Sequence, residues 1–383
     1  MVHKRIKLLR VITQAEVVPW HLKNFIDRSD DEYELFITGN NVTRYKLDYP
    51  NVTFIDNEIL RKVSLIKDFK ALLRLIFICI KVRPQIIHSI MPKAGLLSSI
   101  AGIITLVPIR IHTYTGQVWA TKSGLKREVF RFVDKIIKIL CTKCLTDSPS
   151  QSFFLAKNGV LEHGNPISYL GRGSLSGVAL DRFNIDLIKD RNILRKELGI
   201  GVNDFVYIYL ARKSLVKGIK ELFESFSEIA YLPDLKLLFI GPDESNGLLS
   251  ELFIKYQNIS NKIISLDIVK NHEKYLAMSD VLCLPSSSEG FGTIVIEAAA
   301  LGIPTIGFDI VGLSDAIEHD KTGILVPYKN VKLFSKAMIE LHDNETKMHE
   351  LKIKARERVL EFFSADIIYK YQSEFYKLLI KSH

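Results

Sequence analysis

The chain has 383 residues, 47% of them hydrophobic and 25% charged, an ordinary globular composition with room for two domains. This excludes a disordered chain, a collagen-like chain and a disulfide-rich miniprotein. Its 52 Lys and Arg against 43 Asp and Glu leave a formal charge of +9, which allows an anionic partner: a nucleotide, a lipid surface or nucleic acid.

In chain order, Ile6–Thr13 and Tyr33–Thr38 read as strands. Leu65, Phe69, Leu72, Leu73, Ile76, Phe77 and Ile80 fall at helical spacing, and Arg83-Pro84 ends that helix. Strands over Gln85–Ser89, Ile109–Thr115 and Cys144–Asp147 alternate with helices over Ala94–Thr105, Leu125–Leu140 and Ser150–Lys157. The apolar stretch Ala94–Pro108 is too short to span a bilayer and reads as a buried core helix. The start, MVHKRIKLLRVIT, is basic but has too short an apolar run for an export signal. A cytoplasmic protein, peripheral on the inner face of the membrane, is therefore expected.

After a Gly-rich stretch, Gly159–Gly177, and a charged segment near Asp186–Arg195, the alternation resumes. Strands are expected over Phe205–Leu210, Leu235–Ile240, Ile263–Leu266, Val281–Leu284 and Thr305–Gly307. Helices are expected over Ile219–Ile229, Phe291–Leu301 and Ser364–Ser382. Strands alternating with helices imply parallel sheets covered on both faces. The repeat of that pattern, with a break near residue 180, predicts an α/β chain of two doubly wound domains facing a cleft. In such sheets ligands bind at the carboxyl ends of the strands.

Two strand-to-helix loops carry the chemistry. In LPSSSEGFGTIVIE, Leu284–Glu297, a buried strand runs into small polar residues, then Glu289, Gly290, Phe291, Gly292 and Thr293, then a helix. Glycines let backbone N–H groups approach a ligand, and the helix start offers unpaired donors and a positive dipole end. Glu289 and Glu297 are carboxylates of the type that accept two hydroxyls of a sugar diol. In YLARKSLVKG, Tyr209–Gly218, Arg212 and Lys217 bracket a loop, and two cations there suit a diphosphate. The four cysteines, Cys79, Cys141, Cys144 and Cys283, sit in apolar runs and read as free buried thiols. His88 and His112 read as structural, while Trp20 and Trp119 either pack in the core or stack on a sugar.

These motifs resemble a known family: the retaining glycosyltransferases of GT-B type, family 4, the group 1 transferases. Glu289 and Glu297 match its E-x7-E motif, and Arg212 and Lys217-Gly218 match its phosphate-binding Arg and Lys-Gly. DVLCLP, Gly302-Ile303-Pro304 and TGILV match flanking signatures, and HSIMPKAGLLSSIAG, HTYTGQVWATKSGLKR and LTDSPSQSFFL resemble a bacterial subgroup that builds lipid-linked surface polysaccharides such as O-antigen or capsule. The resemblance implies two Rossmann-like domains, residues 1–180 and 181–363, with a terminal helix, 364–383, packing on the first. It implies that Glu297 binds the nucleotide ribose, that Glu289 contacts the donor sugar, and that Arg212 and Lys217 hold the diphosphate, helped by backbone N–H groups of Phe291, Gly292 and Thr293. The expected donor is a UDP-sugar, the acceptor a lipid-linked saccharide, and the configuration retained. No Asp-x-Asp motif is present in the sequence, so no metal cofactor is expected. Thr115-Gly116 stands where many members have His-Gly, and TQAEVVPW lacks the glycine pair of the first loop. Thr115, Gly116 and Gln117 remain candidates to face the donor. A nucleotide-sugar epimerase of the same fold and a basic nucleic-acid-binding protein are the alternatives, the latter without a recognition motif.

The expected helix Lys126–Leu140 carries Arg127, Arg131, Lys135 and Lys138 on one face, with Lys126 beside them, and Val129, Val133, Ile136, Ile137 and Leu140 on the other. Lys126, Arg127, Arg131, Lys135 and Lys138 are the expected contacts with anionic headgroups, and Asp134 dilutes that basic face.

Overall fold

The computed structural model describes residues 5–29, 31–160 and 168–382. The middle of the Gly-rich stretch, 161–167, and the first four residues lie outside them. Two compact units emerge, one reaching to Gly177 and taking back the chain from Ala365, the other spanning Val178–Ser364.

The first unit is a parallel sheet of β1 (Ile6–Gln14), β2 (Tyr33–Asn40), β3 (Thr53–Asp56), β4 (Ile86–Ile90), β5 (Ile109–Tyr114), β6 (Lys143–Thr146) and β7 (Ser168–Tyr169), in spatial order β3-β2-β1-β4-β5-β6-β7. Its helices include α1 (Leu65–Val82), α2 (Pro92–Ile104), α3 (Gly124–Leu140) and α4 (Pro149–Lys157). The second unit holds β8 (Phe205–Leu210), β9 (Leu235–Ile240), β10 (Ile263–Leu266), β11 (Val281–Leu284), β12 (Thr305–Phe308) and β13 (Gly323–Val326), ordered β10-β9-β8-β11-β12-β13. Its helices include α5 (Ile219–Ile229), α6 (His272–Ala277), α7 (Thr293–Ala300), α8 (Val331–Asp343) and α9 (Glu345–Phe362). All named strand pairs are parallel, and β8 and β11 lie side by side, with Val281 opposite Tyr207. Strands buried on both faces explain the near-continuous apolar runs.

The terminal helix, α10 (Ala365–Lys381), packs into the core of the first unit through Tyr376 and Leu379. Its anchor is polar. Arg10 on β1 donates to the Tyr376 hydroxyl at 2.7 Å, and that hydroxyl lies 2.6 Å from His88 Nδ1. His88 Nε2 is 2.7 Å from Thr113 Oγ1. Burial holds His88 well below the ordinary histidine range, with the Arg10 charge acting the same way.

Three expectations are corrected here. The period of α1 is helical, but the face is the wrong one: Ala71, Leu75, Ile78, Cys79 and Val82 are buried, whereas Leu65, Phe69, Leu73, Phe77 and Ile80 face solvent. In α3, Asp134 is not on a basic surface but buried, and Val129 is exposed along with Leu125, Phe132 and Ile139. The stretch Thr13–Trp20, read as a loop, begins as the end of β1 at Thr13 and Gln14 and turns helical from Val18, the helical segments running on to Ile26. β3, β7, β13, α8 and α9 have no counterpart among the expected elements. All four cysteines are free and buried. Among the described residues, no helix is long and apolar enough to cross a membrane.

Candidate functional site

In the second unit, β8 and β11 are neighbours, so the loops leaving their carboxyl ends meet. Ser287 N donates to Val216 O at 2.8 Å, joining the two loops through their backbones. Gly218, at φ +77°, caps α5 and lies so close to Pro285 that a Cβ would sit 1.9 Å from its carbonyl oxygen. Only glycine satisfies both demands. This contact brings Lys217 Nζ to 2.6 Å from Glu289 Oε1. Both side chains are largely covered, at 16% and 12% exposure, so the pair is shielded more than a surface ion pair.

Arg212 does not join that pair. Its guanidinium reaches Glu244 Oε2 at 2.6 Å, while its carbonyl accepts from the Tyr209 hydroxyl at 2.8 Å. Gly290, Phe291 and Gly292 continue from Glu289 into α7, with Gly292 at φ +85° and Phe291 buried. Thr293 opens the helix, and Glu297 follows one turn later. The result is a loop with a cation, a carboxylate and a helix start together, and a second carboxylate further along the same helix.

Four residues here carry no signal in the sequence. His272 on α6 places Nε2 3.0 Å from Glu297 Oε2, and its Nδ1 is 3.0 Å from Arg182 Nη2. Arginine only donates, so Nδ1 accepts, the proton sits on Nε2, and it points at Glu297. Arg182 in turn is held by Glu273 Oε2 through Nε at 2.9 Å and Nη2 at 2.7 Å. Ser286 Oγ is fully buried and has no hydrogen-bond partner. Periodicity cannot reveal this set, because residues 182, 272 and 297 meet only through the fold. Next to Arg212, the largely buried Lys213 donates to Ser265 Oγ at 2.9 Å and Leu266 O at 2.7 Å, and burial lowers its pKa.

Thr115, Gly116 and Gln117 belong to the first unit, at the carboxyl end of β5. Gly116 has φ +86°, and Gln117 is buried with its Oε1 unpartnered. Their loop is anchored by Trp119, which is buried rather than open to a sugar. It stacks on Phe154 with ring centroids 5.2 Å apart, and its Nε1 donates to Asp134 Oδ2 at 2.7 Å. Burial pushes the Asp134 carboxyl up to about 7, against the lowering effect of that hydrogen bond. Trp20 is exposed. His112 is structural: it contacts Ser89 Oγ at 3.0 Å, and burial brings its pKa down to about 3. On α3, Lys126 and Lys138 are exposed, Arg127 donates to Asn158 Oδ1 at 2.8 Å, Arg131 pairs with Glu128, and Lys135 is partly covered.

Comparison with known proteins places this arrangement. The family model for glycosyl transferases group 1 matches residues 190–358. The chain is 30% identical over 334 residues to the capsular polysaccharide biosynthesis glycosyltransferase CapM of Staphylococcus aureus, covering 85% of this chain and 87% of that protein. It is 27% identical to an Escherichia coli UDP-Gal:alpha-D-GlcNAc-diphosphoundecaprenol alpha-1,3-galactosyltransferase, over 79% of this chain and 78% of that one. The crystal structure of HepE from Anabaena in complex with UDP-glucose superposes with a TM-score of 0.79 at 14% identity, over 97% of this chain and all of the other. The two parallel-sheet, Rossmann-like units are those of the GT-B fold, and the chain belongs to the group 1 glycosyl transferases.

Proposed function

We propose that this glycosyltransferase moves a sugar from a UDP-sugar to a lipid-linked saccharide, with retention of configuration, in the synthesis of a bacterial surface polysaccharide. The observation that carries the reading is the meeting of Lys217 and Glu289 at adjoining strand ends, beside the start of α7. Lys217, with Arg212, neutralises the diphosphate as it leaves, where preorganised charge is most effective. Backbone N–H groups of Phe291, Gly292 and Thr293 add donors, with Gly290 giving them room. Glu289, released from Lys217 when the diphosphate arrives, accepts donor-sugar hydroxyls. Glu297 accepts the ribose diol. Thr115 and Gly116 are the candidates of the first unit for donor-sugar contact. No metal is required, since the two cations meet the charge that a divalent ion otherwise meets. The names of the staphylococcal and E. coli relatives support the polysaccharide pathway and a lipid-carried acceptor. Such an acceptor gives α3 a use: Lys126, Arg127, Arg131, Lys135 and Lys138 dock the enzyme on anionic headgroups.

The test is a panel of nucleotide sugars screened for thermal stabilisation, followed by transfer assays in excess chelator. Glu289→Ala is expected to lower turnover more than UDP affinity, and Glu297→Gln to weaken UDP binding itself. Folded variants with wild-type kinetics at both positions refute the site. Free nucleotide released only when an acceptor is present marks the transferase, whereas conversion of the nucleotide sugar to its epimer, with no net nucleotide release, points instead to an epimerase.

A further inference from the structure

The outer face of α1 is apolar and cationic with no exposed acid. Ile66, Phe69, Leu73, Phe77 and Ile80 all face solvent, and their spacing of three or four residues stacks them into one stripe along the helix. Phe77 alone is 64% exposed. Lys67, Lys70, Arg74 and Lys81 each follow one of these residues in sequence and are exposed too, so they form a second stripe along one edge of the first. The single acid between Arg61 and Arg83 is Asp68, and it is withdrawn from this face. Its carboxylate accepts from Lys93 at 2.7 Å and from the Ser64 backbone at 3.0 Å.

Neighbouring helices extend the face. The buried side of α1 packs with Ala94, Leu97 and Ala101 of α2. α2 meets α3 where Gly95 approaches Ile137. At the end of α2, Ile103, Ile104 and Leu106 are exposed, and on α3 so are Leu125, Val129, Phe132 and Ile139. A soluble surface rarely concentrates large apolar side chains in this way without a partner.

We propose that the outer face of α1, continued by α3, seats in the headgroup layer of an anionic lipid bilayer, with the apolar stripe entering the acyl boundary and the cations reaching back to phosphate. The composition is that of a helix lying in a membrane interface, where apolar insertion and cationic attraction act together. Long basic side chains reach sideways to headgroups while their stems cover apolar surface. Charge complementarity selects this occupant over a second copy of the chain. Self-pairing through α1 sets Lys and Arg against Lys and Arg, with no free acid to answer them. The proposal rests on the reading of a lipid-carried acceptor and moves the principal contact from the cations of α3 to the apolar stripe of α1.

The test uses the full chain with vesicles of phosphatidylcholine alone or mixed with phosphatidylglycerol, without nucleotide sugar or acceptor. Wild type is expected to sediment with the anionic vesicles and remain free of the neutral ones. Phe69→Ser combined with Leu73→Ser and Phe77→Ser is expected to reduce vesicle partition at least tenfold, with melting temperature and UDP affinity unchanged. Lys67→Gln, Lys70→Gln, Arg74→Gln and Lys81→Gln together are expected to remove the salt-sensitive part. Undiminished vesicle binding by the triple serine variant overturns the proposal. So does sedimentation of wild type as a dimer that this variant dissociates. A chain that binds vesicles through α1 but transfers no sugar refutes the transferase reading alone, and an active transferase that stays off the vesicles refutes this proposal alone.

Discussion

Replacing Gly218 with Ala tests whether the loop contact that builds the site is as constrained as its geometry says. The residue sits at φ +77°, a conformation that costs an L-residue with a side chain about 1–2 kcal/mol. The new Cβ meets the Pro285 carbonyl oxygen at 1.9 Å and its carbon at 2.6 Å. These are backbone atoms, so no rotamer change relieves the overlap, and relief requires the loops to part. Overpacking of this kind costs roughly 1–3 kcal/mol. Together the two effects amount to about 2–5 kcal/mol, a large share of a typical domain's stability. Parting the loops also breaks the Ser287 N to Val216 O bond and draws Lys217 away from Glu289. The assay is urea unfolding of the full chain together with UDP affinity by calorimetry. A lower unfolding midpoint and weakened UDP binding are expected together. A variant with wild-type midpoint and wild-type affinity refutes the argument that Gly218 joins the two loops.

Three further outcomes follow from other contacts. Asp134 has a folded pKa of about 7, above its ordinary value of 3.8, so the folded state holds a proton that the unfolded chain gives up. Its stabilising contribution is full below about pH 3.8 and is lost as pH rises to about 7. Asp134→Asn, which keeps an acceptor for Trp119, is therefore expected to gain on wild type across pH 4–7 and then level off; a pH-independent difference in unfolding free energy contradicts this. His112 acts with the opposite sign in both proteins, because its pKa of about 3 makes acid destabilising, and it cancels in the comparison. Tyr376→Phe leaves the buried Arg10 and His88 without their shared oxygen and is expected to cost about 2–4 kcal/mol, read from urea unfolding, with a loss under 1 kcal/mol showing that the network is dispensable. His272→Ala is expected to weaken UDP binding about tenfold, the scale of one charge-assisted hydrogen bond, while His272→Gln, which still donates and accepts, restores most of it; equal affinity in both variants and wild type shows that Glu297 needs no such support.

The sequence alone determined the α/β alternation, its repetition, and the two strand-to-helix loops that hold the candidate residues. Each of these is local: strands buried on both faces read as continuous apolar runs, and a glycine-punctuated loop before a helix is visible in a dozen residues. Glu289, Glu297, Arg212 and Lys217 were legible for that reason. Their partners were not. Lys217 reaches Glu289 across 72 residues because β8 and β11 lie side by side, whereas Arg212 turns to Glu244. His272 and Arg182 meet Glu297 only after three separate segments pack together. The same limit explains α1 and α3. Helical spacing shows that an apolar stripe exists, but not which stripe meets the sheet. In α1 the buried stripe uses the smaller Ala71, Cys79 and Val82 along with Leu75 and Ile78, and the larger side chains are left outside. In α3 an aspartate is buried because Trp119, 15 residues upstream, supplies its hydrogen bond. Periodicity ranks residues by their own polarity, while burial is decided by the neighbours that tertiary packing brings.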